Sequence, residues 1–113
     1  MGNEQRRNPR VSGYAKALLV GSMTPGYIRD LSRAGCPVAF MQSVPAYPGD
    51  LLTIRVIAEQ SLSLPPFELS LRVRWLKPDP LWFALGGEIE AVSSPEGEKV
   101  FERLVEYYAG SEP

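Results

Sequence analysis

The clearest regularity along the chain is a period of two between positions 67 and 75. Phe67, Leu69, Leu71, Val73 and Trp75 alternate with Glu68, Ser70, Arg72 and Arg74, so an extended backbone turns one apolar face inward and one charged face outward. Leu52, Ile54 and Val56 repeat the pattern within residues 51–58. Apolar segments at 14–20, 27–31, 36–41 and 81–92 bring the candidate strands to six. Pro25-Gly26 and Pro48-Gly49 stand between candidate strands and predict type II turns, because proline presets φ at the first central position and glycine supplies positive φ at the second.

The period then changes. Val100, Phe101, Leu104, Val105 and Tyr108 fall on one stripe of a helix predicted over residues 95–109. Ser93 or Ser94 can accept from its first N–H groups, Pro95 suits the first turn, Glu96 suits the positive end of the dipole, and Gly110 can close it. Six short strands close most economically as a barrel, which also removes exposed edges, and the helix would cover one side or one open end. The expected fold is mainly β: a six-stranded antiparallel β-barrel with a C-terminal α-helix.

A length of 113 residues allows one domain and not two, and 44% hydrophobic with 22% charged residues is the balance of an ordinary soluble globular protein. No apolar run approaches the roughly 20 residues that cross a bilayer. The first ten residues hold no apolar stretch that would serve as a signal peptide, so a cytoplasmic location without membrane insertion is expected.

With no histidine and a single Cys36, an internal disulfide, a zinc site and Ser-His-Asp or Cys-His nucleophiles are all excluded. The acidic residues show no paired arrangement in an apolar stretch that would tune a general acid, so neither catalysis nor a cofactor is expected. The net charge is only −1, yet it is unevenly placed: the first ten residues carry Arg6, Arg7 and Arg10 against Glu4, while Glu dominates from 96 to 112. That separation points to an anionic partner near the N-terminus and not to nucleic acid wrapped over the surface.

Two motifs carry candidate chemistry. Arg6-Arg7-Asn8-Pro9-Arg10 sets two arginines four apart around a stiffening proline. Guanidinium groups hold phosphate oxygens in a fork or stack on a base, although a solvated basic tail gives the same run. The second motif is Asp30-Leu31-Ser32-Arg33-Ala34-Gly35, where a strand ends and a turn begins. If extended, Asp30 and Ser32 share a side while Leu31 faces the core. A carboxylate there can accept from the N–H edge of a guanine, Ser32 adds a small donor and acceptor, and Gly35 permits close approach. An ordinary turn in which Asp or Ser bonds its own backbone is the plainer reading of that stretch. A hairpin running from Arg10, reversing near Pro25-Gly26 and returning through residues 30–35 would bring both motifs to one part of the barrel.

Together, Arg6 and Arg10 followed some twenty residues later by Asp30, Ser32 and Gly35, then by further strands and a terminal helix, resemble the bacterial PilZ domain. The resemblance implies a barrel receptor for the second messenger cyclic di-GMP. It implies that Arg6, Arg7 and Arg10 lie in a loop clamped over phosphates and guanine, that Asp30 with Ser32 holds a guanine edge beside Gly35, and that a downstream effector protein reads the bound state. Residues 1–12 would then be a mobile ligand-clamping segment ahead of a barrel and helix over 13–113. Gln5, just before the first arginine, occupies the position where family members vary between one ligand and an intercalated pair. A PilZ-fold interaction module without nucleotide binding and an oligonucleotide-binding barrel are the rival readings.

The remaining residues of note have plain readings. Arg72 and Arg74 read as a solvated strand face, Cys36 as a small core residue, and Trp75, Trp82 and Phe83 as core or helix packing. Gly86-Gly87 fits either a bulge or a close approach.

Overall fold

The computed structural model describes residues 15–109. Its strands are β1 (Ala15–Leu19), β2 (Thr24–Ile28), β3 (Gly35–Phe40), β4 (Leu51–Ile57), β5 (Phe67–Pro78) and β6 (Phe83–Val92), followed by helix α1 (Pro95–Ala109). All neighbouring strands pair antiparallel in the order β1-β2-β3-β6-β5-β4, and β4 returns to β1 to close the barrel. Closure follows from alternation: Ile28, Val38, Phe40, Ile54, Val56, Leu69, Leu71, Val73 and Leu85 face one interior and are buried. The expected six-stranded barrel with a terminal helix is the fold observed.

One turn expectation fails and one holds. Pro25-Gly26 lies inside β2, opposite Leu18 and Ala17, and the first hairpin reverses instead at residues 20–23. Gly26 has no positive φ, which a type II turn requires at that position, whereas Gly21 at φ 109° and Met23 at φ 59° supply the left-handed backbone. Gly26 is instead fitted to a close neighbour: a Cβ there would sit 2.7 Å from the Ala39 carbonyl oxygen of β3. In consequence the strand expected at 27–31 runs three residues earlier, and Asp30 and Leu31 fall beyond its end. Pro48-Gly49 does form the turn, with Gly49 at φ 98° and the Asp50 N–H donating to the Tyr47 carbonyl at 3.0 Å.

The helix obeys its stripe. Val100, Phe101, Leu104 and Val105 are buried, Tyr108 is half-buried, and Phe101 meets Phe67 edge to face. Ser94 is the cap: its hydroxyl accepts the Gly97 N–H at 3.0 Å, while Ser93 continues the sheet through the Glu68 backbone. Gly110 lies outside the described residues. Contacts to Phe67, to Glu59 through the Tyr107 hydroxyl, and to Arg33 through Glu102 lay α1 across one end of the barrel. Four buried apolar side chains at roughly 1.5–3 kcal/mol each outweigh exposed ion pairs worth about 0–1 kcal/mol, so packing holds the helix.

Candidate functional site

The second motif begins where β2 runs out. Leu31 is 2% exposed and plugs into the core, while Asp30 and Ser32 on either side of it are exposed, the alternation expected of an extended segment. Ser32 then closes the loop on Gly35. Its N–H and its hydroxyl both donate to the Gly35 carbonyl at 3.1 Å, and its Oγ accepts the Gly35 N–H at 3.3 Å. The plain turn reading is therefore realised, and of the donor and two acceptor sites of a hydroxyl one lone pair is left outward.

Gly35 is required for a reason other than ligand approach. A Cβ there would lie 2.1 Å from the Gly87 carbonyl oxygen, so it is β6 that closes on this position. Cys36 behind it is buried as expected; burial, aided by the charge of Asp30, pushes its thiol up to about 12. Such a thiol stays protonated and unreactive at neutral pH.

Asp30, Ser32 and Gly35 come together in one open cleft of about 330 Å³, whose far wall is Trp75, Gly87 and Glu88. Trp75 corrects the expectation that it belongs to the core. It is 42% exposed, because the pairing of β5 with β6 slips between Val73 and Trp75 and the extra residue, Arg74, turns the indole outward. The indole lies over Gly86, where a Cβ would be 2.4 Å from its ring atoms, and at Gly87 a Cβ would be 1.9 Å from the Arg72 carbonyl oxygen. Gly86-Gly87 thus serves both the bulge and the close approach. Trp82 is likewise on the outer face at 39% exposure, and Phe83 is half-buried against the core. Sequence periodicity missed Trp75 and Glu88 as cleft residues; the one signal that could have shown them is the glycine pair opposite the tryptophan.

Arg72 and Arg74 lie on the charged face expected of them, and each is engaged. Arg72 grips Glu90 through Nε at 2.8 Å and Nη2 at 3.0 Å and also donates to the Gly49 carbonyl at 3.0 Å. Arg74 pairs with Glu88 at 2.9 Å. These hydrogen bonds hold the Glu88 and Glu90 carboxyls below the usual glutamate value.

The electrostatics of the cleft follow. Its described residues contribute the carboxylate of Asp30, which suits N–H donors of a base edge and repels phosphate, and that of Glu88, which is already paired with Arg74. Cations for an anionic ligand must come from elsewhere. Arg6, Arg7 and Arg10 lie outside the described residues, but the Ala15–Ile28 pairing sets the start of β1 beside the exit of β2, next to Asp30. The hairpin thus sets the start of β1 beside the second motif, although its turn is not where the sequence placed it. The helix reaches both: Glu102 pairs with Arg33 inside the second motif, and Tyr108 packs near the backbone of Ala15 without reaching hydrogen-bond geometry.

A closed six-stranded barrel, a terminal helix and a motif cleft on the outer wall define a small binding module. The PilZ domain model matches residues 4–107, and the chain belongs to that family, a family of cyclic di-GMP receptors. Among solved structures it is similar to the Bacillus subtilis inhibitor of motility (MotI/DgrA), with a TM-score of 0.62 and 12% sequence identity. That alignment covers 91% of this chain and 50% of the other, so the chain spans about half the length of that protein. No curated protein matches. Among the described residues, no helix is long and apolar enough to cross a membrane.

Proposed function

We propose that this chain is a cytoplasmic receptor for cyclic di-GMP that passes ligand occupancy to a partner protein, without catalysis. The observation that carries the reading is the convergence of Asp30, Ser32 and Gly35 with the exposed Trp75 indole in one cleft at the open end of the first hairpin. In this reading the Asp30 carboxylate accepts from a guanine edge, the remaining Ser32 lone pair accepts a further N–H, and Arg6, Arg7 and Arg10 neutralise the phosphates. Arg33, paired with Glu102, lets a movement of the loop be felt at the helix.

Calorimetric titration tests this, with cyclic di-AMP as the control. Cyclic di-GMP is expected to bind and cyclic di-AMP to bind far more weakly, since a donor edge missing at a site built for it costs about 1–3 kcal/mol per unpaired group. Asp30→Ala should remove the preference. Equal affinity for the two dinucleotides overturns the role of Asp30. A second reading, a PilZ-fold interaction module that takes no nucleotide, is favoured by one observation: the Ser32 hydroxyl already has backbone partners. Absence of any binding heat or NMR shift with cyclic di-GMP would select it.

A further inference from the structure

A second concave site lies further along the outer wall, on a different set of side chains. Tyr27, Ala39, Ala84 and Lys77 are consecutive partners across β2, β3, β6 and β5, so they form one transverse row on the outside of the barrel. The two alanines make the middle of that row low, and the surface sinks into a depression of about 440 Å³. One wall is aromatic: Tyr27 and Trp82 meet edge to face with ring centres 6.1 Å apart. Arg29 and Lys77 contribute positive charge to the lining, against Asp79. Asp79 is turned to internal use, for its Oδ1 accepts the N–H groups of Leu81 and Trp82 at 2.8 and 3.2 Å. Lys77 has no ion pair among the described residues, unlike Arg55, Arg72 and Arg74 on the neighbouring wall.

The site is also stiff. Asp79 lies between Pro78 and Pro80, its N–H donates to the Trp82 carbonyl at 2.9 Å, and its carboxylate locks the same tip. That rigid tip presents Trp82 beside Leu81, which is 79% exposed. Rigid aromatic anchors flanking a small-residue depression, with cations at the edge, are the pattern of a protein-docking hot spot.

We infer that this groove docks an acidic segment of a partner protein, with an apolar side chain of that segment filling the depression over Ala39 and Ala84 and a carboxylate of it meeting Lys77. Lys77, without an ion pair among the described residues, selects an acidic occupant over a basic one, and the alanine floor beside the aromatic wall selects an apolar anchor over a purely polar strand. Arg29 is the residue before Asp30, so the groove and the motif cleft adjoin at the exit of β2. The docking itself does not depend on whether the cleft binds a nucleotide.

The test uses the full chain without dinucleotide and three labelled heptapeptides: Glu and Asp flanking a central Leu-Phe pair, the same with Lys in place of the acids, and the acidic version with Ser-Ser at the centre. The acidic Leu-Phe peptide is expected to shift the amide signals of Ala39 and Ala84 and the Trp82 indole N–H, and the other two peptides are not. Lys77→Glu, an exposed change that leaves the fold intact, should weaken binding about fivefold or more, as for removal of a docking charge. Ala84→Glu, which fills and recharges the depression, should abolish it. The inference is overturned if the lysine peptide binds as well, if the shifts fall elsewhere, if both variants bind like the parent, or if the same signals shift on raising protein concentration alone, which would give the groove to a second copy of this chain.

Discussion

Gly35 shows how one missing side chain fixes a site. It pairs with Glu88 across β3 and β6, and the space where its Cβ would stand is taken by the Gly87 carbonyl. Backbone cannot yield as a flexible side chain can, so Gly35→Ala must push the two strands apart just where the motif cleft opens. A loss of about 1–3 kcal/mol is expected, by analogy with an overpacked core, and chemical denaturation measures it. An unchanged midpoint would mean that the strands part freely. Tyr108 is the opposite case. Its hydroxyl is buried with no hydrogen-bond partner among the described residues, and desolvation, with the charge of Glu59, pushes it up to about 12. Tyr108→Phe removes an unsatisfied group and keeps the ring, so it should cost less than about 1 kcal/mol or stabilise. A larger loss in the same denaturation assay would reveal a partner for that hydroxyl.

At the scale of elements, the β5–β6 pair is both the longest ladder and the most irregular, with register shifts at Ser70/Leu71 and at Val73/Trp75. The pairs Arg72–Glu90 and Arg74–Glu88 lie on the outer wall, and the second shift turns Trp75 out to join them. Both carboxyls are held below the ordinary value of 4.5 by these arginine hydrogen bonds. A carboxyl with a depressed folded value stabilises the fold above its unfolded value, and that contribution disappears as pH falls through the folded value. The expected outcome is that Glu88 and Glu90 titrate below the remaining glutamates in side-chain carboxyl NMR and that stability declines on acidification below pH 4.5. Titration of both with the bulk of the glutamates would show the pairs broken in solution. Being exposed pairs on the outer wall, they register the geometry of the hairpin more than they hold it.

For the whole molecule, the helix and the first hairpin meet at one barrel end, beside the second motif. Glu102 touches the second motif and Tyr108 touches the strand that follows the first. The twelve residues that precede Gly13 carry three arginines and almost no apolar side chain to bury, so in the proposed receptor the two phosphates of the ligand are their expected partners. Hydrogen exchange of residues 1–12 should therefore slow when cyclic di-GMP binds, and Arg6→Ala or Arg10→Ala should weaken binding by roughly 1.5–3 kcal/mol while Arg72→Ala changes it little. Unchanged exchange despite binding would move the responsive element to α1.

The sequence by itself determined the barrel, the helix and its stripe, because burial on a period of two or of 3.6 is written locally in each segment. It also put Asp30 and Ser32 on one side of the chain, since the Leu31 between them had to turn inward. Tertiary structure alone decided the rest. Pro25-Gly26 reads as a turn in isolation, yet pairing with β1 on one side and β3 on the other makes it strand. Trp75 continues an inward alternation in sequence, yet one bulged residue, set by the glycines of the opposite strand, puts it at the surface. The motif cleft and the alanine-floored groove each join side chains from three or four strands, and only the long-range pairing of β3 with β6 brings those rows side by side. Local pattern fixes which face of a strand is dry; the identity of the neighbour across it is a contact between distant parts of the chain, which no local period encodes.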